Sequence, residues 1–305
     1  MSRSRHSTCQ ALCLLSGFDL TALGHLSADY IHTIVEVIKL ALADRDYYYG
    51  DPDFVDVPLD VLLSDEYNNM RRNLIDMHAA FLQARPGDPY NMQPIKEISS
   101  FRPGVGGTTT CVVADRWGNV VSATPSANVP ESPRDGGESG VTFSNRLRML
   151  NTTPGHPNCI EVGKRPRSTL TPTIILKDKK PIMAISLAGG DLQDQVSLNL
   201  IINAVDFNMR PDQCVTVPRF ATTHHQDSFD PNPDRESTLK MAGSVIVKET
   251  LDSEIKQDLR RRGHTIQTTK SYIGRPVMLA IDQEEGTIYA AGDPEGGRHA
   301  AAMGD

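Results

Sequence analysis

Three adjacent threonines, Thr108 to Thr110, follow two glycines and precede an apolar run that starts at Cys111. A threonine that becomes an N-terminal residue can attack a carbonyl carbon through its hydroxyl while its own α-amine takes up the proton. Thr108 is therefore a candidate nucleophile, released by cleavage after Gly107. β-branched residues also favour strands, so the same run is compatible with the plain start of a strand.

A candidate site for binding negative charge lies at Gly189 and Gly190, which come directly after an apolar run and directly before a helical pattern. Two consecutive backbone N–H groups at the N-terminus of a helix can stabilise developing negative charge. Glycine is also common in plain strand-to-helix turns, so these two residues alone leave both interpretations open.

Further polar residues could support a nucleophile or bind a substrate. Ser126 and Asn128 follow the second of two predicted strands, where a hydroxyl and an amide could reach the candidate nucleophile, although both residue types also favour turns. Ser168 and Thr169 follow the basic segment 164–167 and could bind a carboxylate; the alternative is a surface loop.

Histidine and cysteine give weaker signals. His224 and His225 are adjacent, but neighbouring side chains of a strand point in different directions and no third ligand has a useful spacing. A solvated loop is therefore favoured over a metal site. Cys111 lies near the candidate nucleophile without evident His or Asn partners, and it is predicted to be a buried strand residue. No metal or cofactor is expected, because a threonine hydroxyl and its amine need none.

Composition restricts the class of protein. The 305 residues carry a net charge of −7, which argues against a nucleic-acid-binding surface. No apolar run is long enough to span a membrane, and no convincing signal peptide follows Met1. The five cysteines include no CxxC pair, so reduced thiols and a cytoplasmic location are expected.

The elements that must position these residues fall into two parts. Ser27 is a candidate N-cap for a helix over 28–45, whose apolar residues follow the 3.6-residue period, and Ser64 for a helix over 65–82. The stretch 86–107 is polar, contains Pro and Gly and has no periodicity, so it is a candidate processing linker.

From Thr108 onward the pattern is mainly that of strands. Hairpins and helices are grouped rather than alternating, which favours a layered α+β fold over a Rossmann sheet. The predicted elements are strands at about 109–115, 119–125, 171–177, 182–187, 276–282 and 286–291, with helices at about 192–208 and 249–262.

Together these motifs resemble the γ-glutamyltranspeptidase family of N-terminal-nucleophile hydrolases over nearly all of residues 15–300. The resemblance implies a four-layer αββα sandwich, incomplete at its N-terminal side because most of the family's large subunit has no counterpart here. Residues 1–107 would be the C-terminal part of the large-subunit region, and 108–305 the small-subunit catalytic region. The motifs that carry the resemblance are 50–59, 108–119, 138–140, 164–173, 189–190, 218–220 and 292–294.

The resemblance also implies catalytic roles. Thr108 would be the nucleophile after cleavage, and Ser126 would support it at a position where the family usually has Thr. Gly189 and Gly190 would form the oxyanion hole. The two fragments would pair within one molecule and act on a small-molecule amide.

Substrate contacts are implied in part. Asn128 would contact the substrate, and Ser168 and Thr169 would hold its α-carboxylate. The family's Gln and Asp that grip the α-ammonium fall on Arg146 and Met149, neither of which can accept a hydrogen bond from an ammonium. A substrate with a carboxylate near Arg146 or Arg148 fits better, which points to the acylase-like and amidohydrolase-like branch of the family.

Three functions are therefore considered. The leading one is an autoprocessing N-terminal-Thr amide hydrolase with an acyl-enzyme mechanism. The second is a genuine γ-glutamyltransferase and glutathione hydrolase. The third is a truncated, catalytically inactive member of the family.

Overall fold

The computed structural model describes residues 5–94, 108–126, 138 and 144–302. The chain forms two compact units, each built from three separate segments. The first unit comprises Met1–Val105, Arg146–Thr169 and Phe220–Thr269, and the second comprises Gly106–Asn145, Leu170–Arg219 and Lys270–Asp305.

The first unit is organised around one long helix, α3. The Ser27 hydroxyl accepts a hydrogen bond from the Tyr30 N–H at 3.0 Å and so caps the helix. Ile31, Ile34 and Val35 are fully buried on it, as the period predicted. The helices of this part of the chain are α1 (Arg5–Leu15), α2 (Leu20–Leu23), α3 (Ala28–Tyr48), α4 (Leu59–Leu62) and α5 (Asp65–Arg72), followed by the short antiparallel strands β1 (Gly87–Asp88) and β2 (Gln93–Pro94).

The first unit also contains a three-stranded sheet, whose Phe220 ring packs edge to face on Tyr30 of α3. Its strands lie side by side in the order β7 (Phe220–Ala221), β8 (Ser244–Lys248) and β9 (Thr265–Thr269). The parallel pair β8–β9 is connected by α8 (Ser253–Arg261), which buries Leu259 and ends before Gly263, whose φ is +93°. A left-handed residue after a helix is the conformation that glycine adopts most easily.

The second unit stacks a hairpin on a sheet. The hairpin pairs β3 (Cys111–Ala114) with β4 (Val120–Ala123). The antiparallel sheet has the order β11-β10-β6-β5. The remaining elements of the unit are β5 (Thr173–Lys177), β6 (Lys180–Ala188), α6 (Leu192–Val205), α7 (Pro211–Thr216), β10 (Arg275–Asp282) and β11 (Thr287–Gly292).

Strand β6 connects the layers of the second unit. On one face, the Ser186 hydroxyl donates to the Ala123 carbonyl of β4 at 2.7 Å. On the other face, Leu187 and Val196 of α6 both approach Gly274. Neighbouring side chains of a strand point to opposite faces, so the hairpin and α6 lie on opposite sides of the sheet. The result is a hairpin layer, a sheet layer and a helix layer.

The predicted α+β class is confirmed, and so are the helices and strands expected at 28–45, 192–208, 249–262 and along the hairpin. The helix expected over 65–82 is wrong in its length, since α5 ends at Arg72. Beyond it, Ala80 N–H donates to the Arg262 carbonyl at 2.6 Å, which draws the chain away from the helical path. Within the described residues, no helix is long and apolar enough to cross a membrane.

Candidate active site

Thr108 and Ser126 lie at the open end of the β3–β4 hairpin. The Thr109 N–H donates to the Pro125 carbonyl at 3.1 Å, which continues the pairing beyond the two strands. This pairing brings Thr108 Oγ1 to 3.0 Å from Ser126 Oγ. A hydroxyl at hydrogen-bond distance can orient the Thr108 hydroxyl and respond to a change in its charge.

The three threonines differ in their surroundings. Thr108 is half-buried, Thr109 is exposed, and the Thr110 hydroxyl is buried without a hydrogen-bond partner among the residues described. Of the three hydroxyls, that of Thr108 is the one found against Ser126. The geometry therefore favours Thr108 over its neighbours as the reactive residue.

The glycine pair, Gly189 and Gly190, forms the turn from β6 into α6. Their carbonyls accept from the N–H groups of Leu192 and Gln193, each at 3.1 Å, and so begin the helix. Gly190 has a φ of +58°, in the left-handed region where a side chain is strained. The pair thus places two main-chain amides at a helix N-terminus, where partial positive charge accumulates.

The hydroxyls of Thr108 and Ser126 lie at the same end of the second unit as the glycine pair. Two contacts join β4 and the residue that follows it to β6. The Ser122 hydroxyl donates to the Ile185 carbonyl, and Thr124 Oγ1 lies 2.8 Å from Ser186 Oγ. The segments 122–124 and 185–186 therefore run in the same direction. Ser126 follows two residues later on one chain, and the glycine pair three residues later on the other.

The candidate substrate residues Ser168 and Thr169 belong to the first unit. Thr169 is 2% exposed, and its hydroxyl has no hydrogen-bond partner among the residues described. The basic side chains just before them are engaged in ion pairs. Arg165 binds Asp51 at 2.7 Å, while Lys164 binds Glu161 at 2.8 Å.

Arg167 of the same basic segment takes part in a buried network with Asp46. Its guanidinium donates to Asp46 Oδ1 at 3.3 Å and to the Ser228 hydroxyl at 2.9 Å. Burial would raise the pKa of Asp46, but the hydrogen bond from His156 and the charges of Arg167 and Arg235 hold it well below its usual range. Arg167 therefore serves the core of this unit.

Arg146 lies in a short 3₁₀ helix, Arg146–Met149, which also belongs to the first unit. Its Nη1 is 3.5 Å from the Met149 sulfur, and its guanidinium stacks over the Phe229 ring at 5.4 Å. Burial, and repulsion from Arg148, lower the pKa of Arg146. Asn128 and Gly107 lie outside the described residues.

One cluster could in principle hold a metal ion. Ligand atoms of His32, Glu36 and His264 lie within 4.8 Å of one another and are fully buried. However, His32 Nδ1 and His264 Nε2 are hydrogen-bonded at 2.8 Å, and Glu36 Oε1 accepts from the Lys39 ammonium at 2.6 Å. These contacts occupy the atoms that would bind an ion, so we assign the cluster a structural role.

Two residue-level expectations are wrong. His224 and His225 do not lie in a solvated loop, because they are 2% and 4% exposed. His224 Nε2 bonds to the Gln83 carbonyl at 3.0 Å, and His224 Nδ1 accepts from the Gly243 N–H at 2.8 Å. Cys111 is exposed rather than buried, because it lies on the outer face of the hairpin together with Val113.

A further residue near Thr108 was not identified from the sequence. The Arg298 guanidinium donates to the Thr108 carbonyl at 3.4 Å. The two residues are separated by 190 positions, and no local pattern connects them. Their proximity results from the fold of the second unit.

The model of the gamma-glutamyltranspeptidase family matches residues 2–303 of this chain. The chain belongs to that family. It is 30% identical to the glutathione hydrolase proenzyme of Bacillus subtilis (strain 168), over 97% of this chain and 48% of the relative. The chain thus spans about half the length of the curated relatives it matches.

Solved structures agree with this assignment. The structure of LmbA2991HD superposes with a TM-score of 0.84 and 35% identity, over 98% of this chain and 52% of the other. The cephalosporin acylase from Bacillus halodurans gives a TM-score of 0.79 and 26% identity, over 99% and 50%. The resemblance predicted from the motifs is confirmed, as is the N-terminal-nucleophile hydrolase fold.

Proposed function

We propose that this protein is an autoprocessing amide hydrolase whose nucleophile is Thr108. The observation that carries the proposal is the 3.0 Å contact between the Thr108 and Ser126 hydroxyls, at the end of the unit where the glycine pair also lies. The relative from B. subtilis is a proenzyme, which supports processing of this chain as well.

Processing would begin with attack of Thr108 Oγ1 on the carbonyl carbon of Gly107. The Gly107–Thr108 amide bond breaks as an ester forms, and the hydroxyl proton passes to the new α-amine. Water then hydrolyses the ester, leaving a carboxylate on Gly107 and a free hydroxyl and amine on Thr108. The products are residues 1–107, from the large-subunit region, and 108–305, the small-subunit region, which stay paired.

Turnover would use the same two groups of Thr108. The α-amine takes the hydroxyl proton as Oγ1 attacks a substrate amide, and returns it to the departing amine, which leaves an acyl-enzyme ester. Water hydrolyses the ester with the α-amine again as base. The amides of the glycine pair would stabilise the oxyanion of both steps.

The substrate we favour is an amide whose acyl group lacks an α-ammonium. Arg146 can only donate, and the weakly accepting Met149 sulfur already accepts from Arg146, so neither residue provides a carboxylate or amide oxygen for an ammonium. The half-buried cation of Arg146 would also repel one. The structural likeness to a cephalosporin acylase supports this choice. Asn128, Ser168 and Thr169 would bind the rest of the substrate.

Two alternatives have specific support. Identity with a glutathione hydrolase proenzyme supports γ-glutamyl transfer or hydrolysis. The second alternative is a family member that neither cleaves itself nor turns over substrate, because the activity of a relative of which this chain spans 48% is not carried over to the chain.

Self-cleavage is tested by expressing the full chain and sequencing any new N-terminus. We expect a fragment that begins Thr-Thr-Thr-Cys, and we expect Thr108→Ala to abolish it. The matched controls Thr109→Ala and Thr110→Ala should cleave at the same bond. Cleavage of Thr108→Ala, or loss of cleavage in Thr109→Ala instead, would overturn the assignment, and an intact parent chain would favour the inactive alternative.

Substrate class is tested with a matched pair, γ-glutamyl-p-nitroanilide and glutaryl-p-nitroanilide, which differ by the α-ammonium alone. We expect kcat/KM to favour the glutaryl compound by about tenfold or more, equivalent to at least ~1.4 kcal/mol. The double change Arg146→Gln and Met149→Asp should reduce that preference. Equal or better turnover of the γ-glutamyl compound by the parent would support the transferase alternative.

A further inference from the structure

Arg298 places a cationic side chain against the main chain of Thr108. Its Nη2 donates to the Thr108 carbonyl at 3.4 Å. Its Nε is buried and, within the part of the chain that the structure describes, has no hydrogen-bond partner. The guanidinium thus lies beside the candidate nucleophile with one donor still available.

The backbone of Arg298 is fixed by a turn that begins at Asp293. The Arg298 N–H donates to the Asp293 carbonyl at 2.8 Å, and the Asp293 N–H donates to Pro276 of β10 at 3.1 Å. The Asp293 carboxylate is itself buried in an ion pair with Arg219. Gly292 completes the turn, because a Cβ there would lie 2.5 Å from the Arg298 carbonyl carbon.

The surroundings of Arg298 are unfavourable for a positive charge. Burial, and repulsion from Arg275, lower the pKa of the Arg298 guanidinium. Arg275 itself stacks on the Tyr272 ring at 4.4 Å. The fold therefore holds a destabilised cation beside Thr108. Such destabilised charges are typical of functional sites.

We propose that Arg298 is a positioning residue that keeps the freed α-amine of Thr108 uncharged, so that the amine can act as the base. The inference rests on the proposed function. The α-amine lies about 3 Å from its own carbonyl oxygen, so it is at most about 6 Å from the Arg298 nitrogen that donates to that oxygen. At that distance a second positive charge on the amine is disfavoured.

The size of the effect follows from the ordinary pKa of an α-amine, about 7.7. At pH 7 such an amine is about one-sixth in the base form. A pKa lower by about one unit makes it about two-thirds base, a gain of roughly fourfold. The gain vanishes near pH 9, where both forms are deprotonated.

The experiment measures the α-amine directly, with a factor Xa site (Ile-Glu-Gly-Arg) placed at positions 104–107 of the full chain. Factor Xa then exposes Thr108 whether or not the chain cleaves itself. The rate of acetylation of the new N-terminus, followed by mass spectrometry across pH 5–10, gives its pKa. We expect Arg298→Met to raise that pKa by about one unit and Arg298→Lys to restore most of the parent value.

Arg298→Gln keeps a donor for the Thr108 carbonyl without the charge and should behave like Arg298→Met, so it also serves if the latter fails to fold. Arg261→Met, at an exposed position of α8, is the matched control and should leave the pKa of the Thr108 α-amine at the parent value. An unchanged α-amine pKa in Arg298→Met or Arg298→Gln overturns the inference. Failure of the unmodified chain to cleave counts against the proposed function separately, because the amine here is produced by factor Xa.

Discussion

Ser126 presents a hydroxyl to Thr108 Oγ1 at 3.0 Å across the open end of the hairpin. When Thr108 gives up its proton, the oxygen gains negative charge and attracts any donor within reach. A hydrogen bond to a charged acceptor is roughly twice as strong as one between neutral groups. Ser126 can therefore stabilise the attacking oxygen more than the resting hydroxyl, which is the condition for acceleration.

Removing that hydroxyl should slow the chemical step. We expect Ser126→Ala to lower kcat of the processed enzyme by about 10- to 100-fold, with little change in KM, because the contact strengthens as charge develops. Ser126→Thr keeps a hydroxyl at the same place and should retain most of the activity. Steady-state kinetics on the preferred acyl-p-nitroanilide measures both.

A control separates this effect from loss of packing. Ser122 lies on β4, four residues before Ser126, and its hydroxyl donates to the Ile185 carbonyl at 2.6 Å. Ser122→Ala should lower thermal stability while leaving kcat near the parent value. A parent-like kcat in Ser126→Ala, or an equal loss in Ser122→Ala, would contradict the role of Ser126.

At the scale of elements, local signals predicted what depends on local physics. Helix α3 has a Ser27 cap and a helical period of isoleucines, and the hairpin has its turn at Trp117 and Gly118, so both were predicted. Strands β8 and β9 were not. They are five residues long, and their pairing is created by tertiary contacts that the sequence pattern does not report.

The candidate site divides in the same way. The pairing of Thr108 with Ser126 follows from a short hairpin and could be expected from sequence order. The place of the glycine pair at the same end required the hydroxyl contacts between β4 and β6. Arg298 could not be predicted at all, since it reaches Thr108 through a turn anchored in β10.

For the molecule as a whole, buried neutral histidines couple stability to pH. His224 is held in one tautomer, because Nδ1 accepts from the Gly243 N–H while Nε2 faces the Gln83 carbonyl. A second proton would break the bond from Gly243. Burial, and the nearby charges of Lys39, His225 and His264, lower the pKa of His224 to about 3.

The direction in which stability changes with pH depends on whether the folded or the unfolded state binds the proton. Between pH 6.5 and about 3, the unfolded chain protonates His224 and the folded protein does not, so stability is complete above pH 6.5 and falls as the pH drops. The slope for this group is at most about 1.4 kcal/mol per pH unit. Carboxylates whose pKa is raised by burial, such as Glu36 and Asp44, act in the opposite direction. The contribution of His224 must therefore be read as a difference between variants.

We expect the free energy of unfolding of His224→Gln, from urea denaturation at pH 7, 6, 5 and 4.5, to fall less steeply than that of the parent, by about 1 kcal/mol per pH unit. The variant will be less stable than the parent at pH 7, because an amide cannot reproduce both contacts of the ring, and the two curves should converge on acidification. His78→Gln, at an exposed position, should run parallel to the parent. Parallel curves for the parent and His224→Gln would mean that the folded protein accommodates a proton on His224, and the acid sensitivity would then have to come from other groups of the fold.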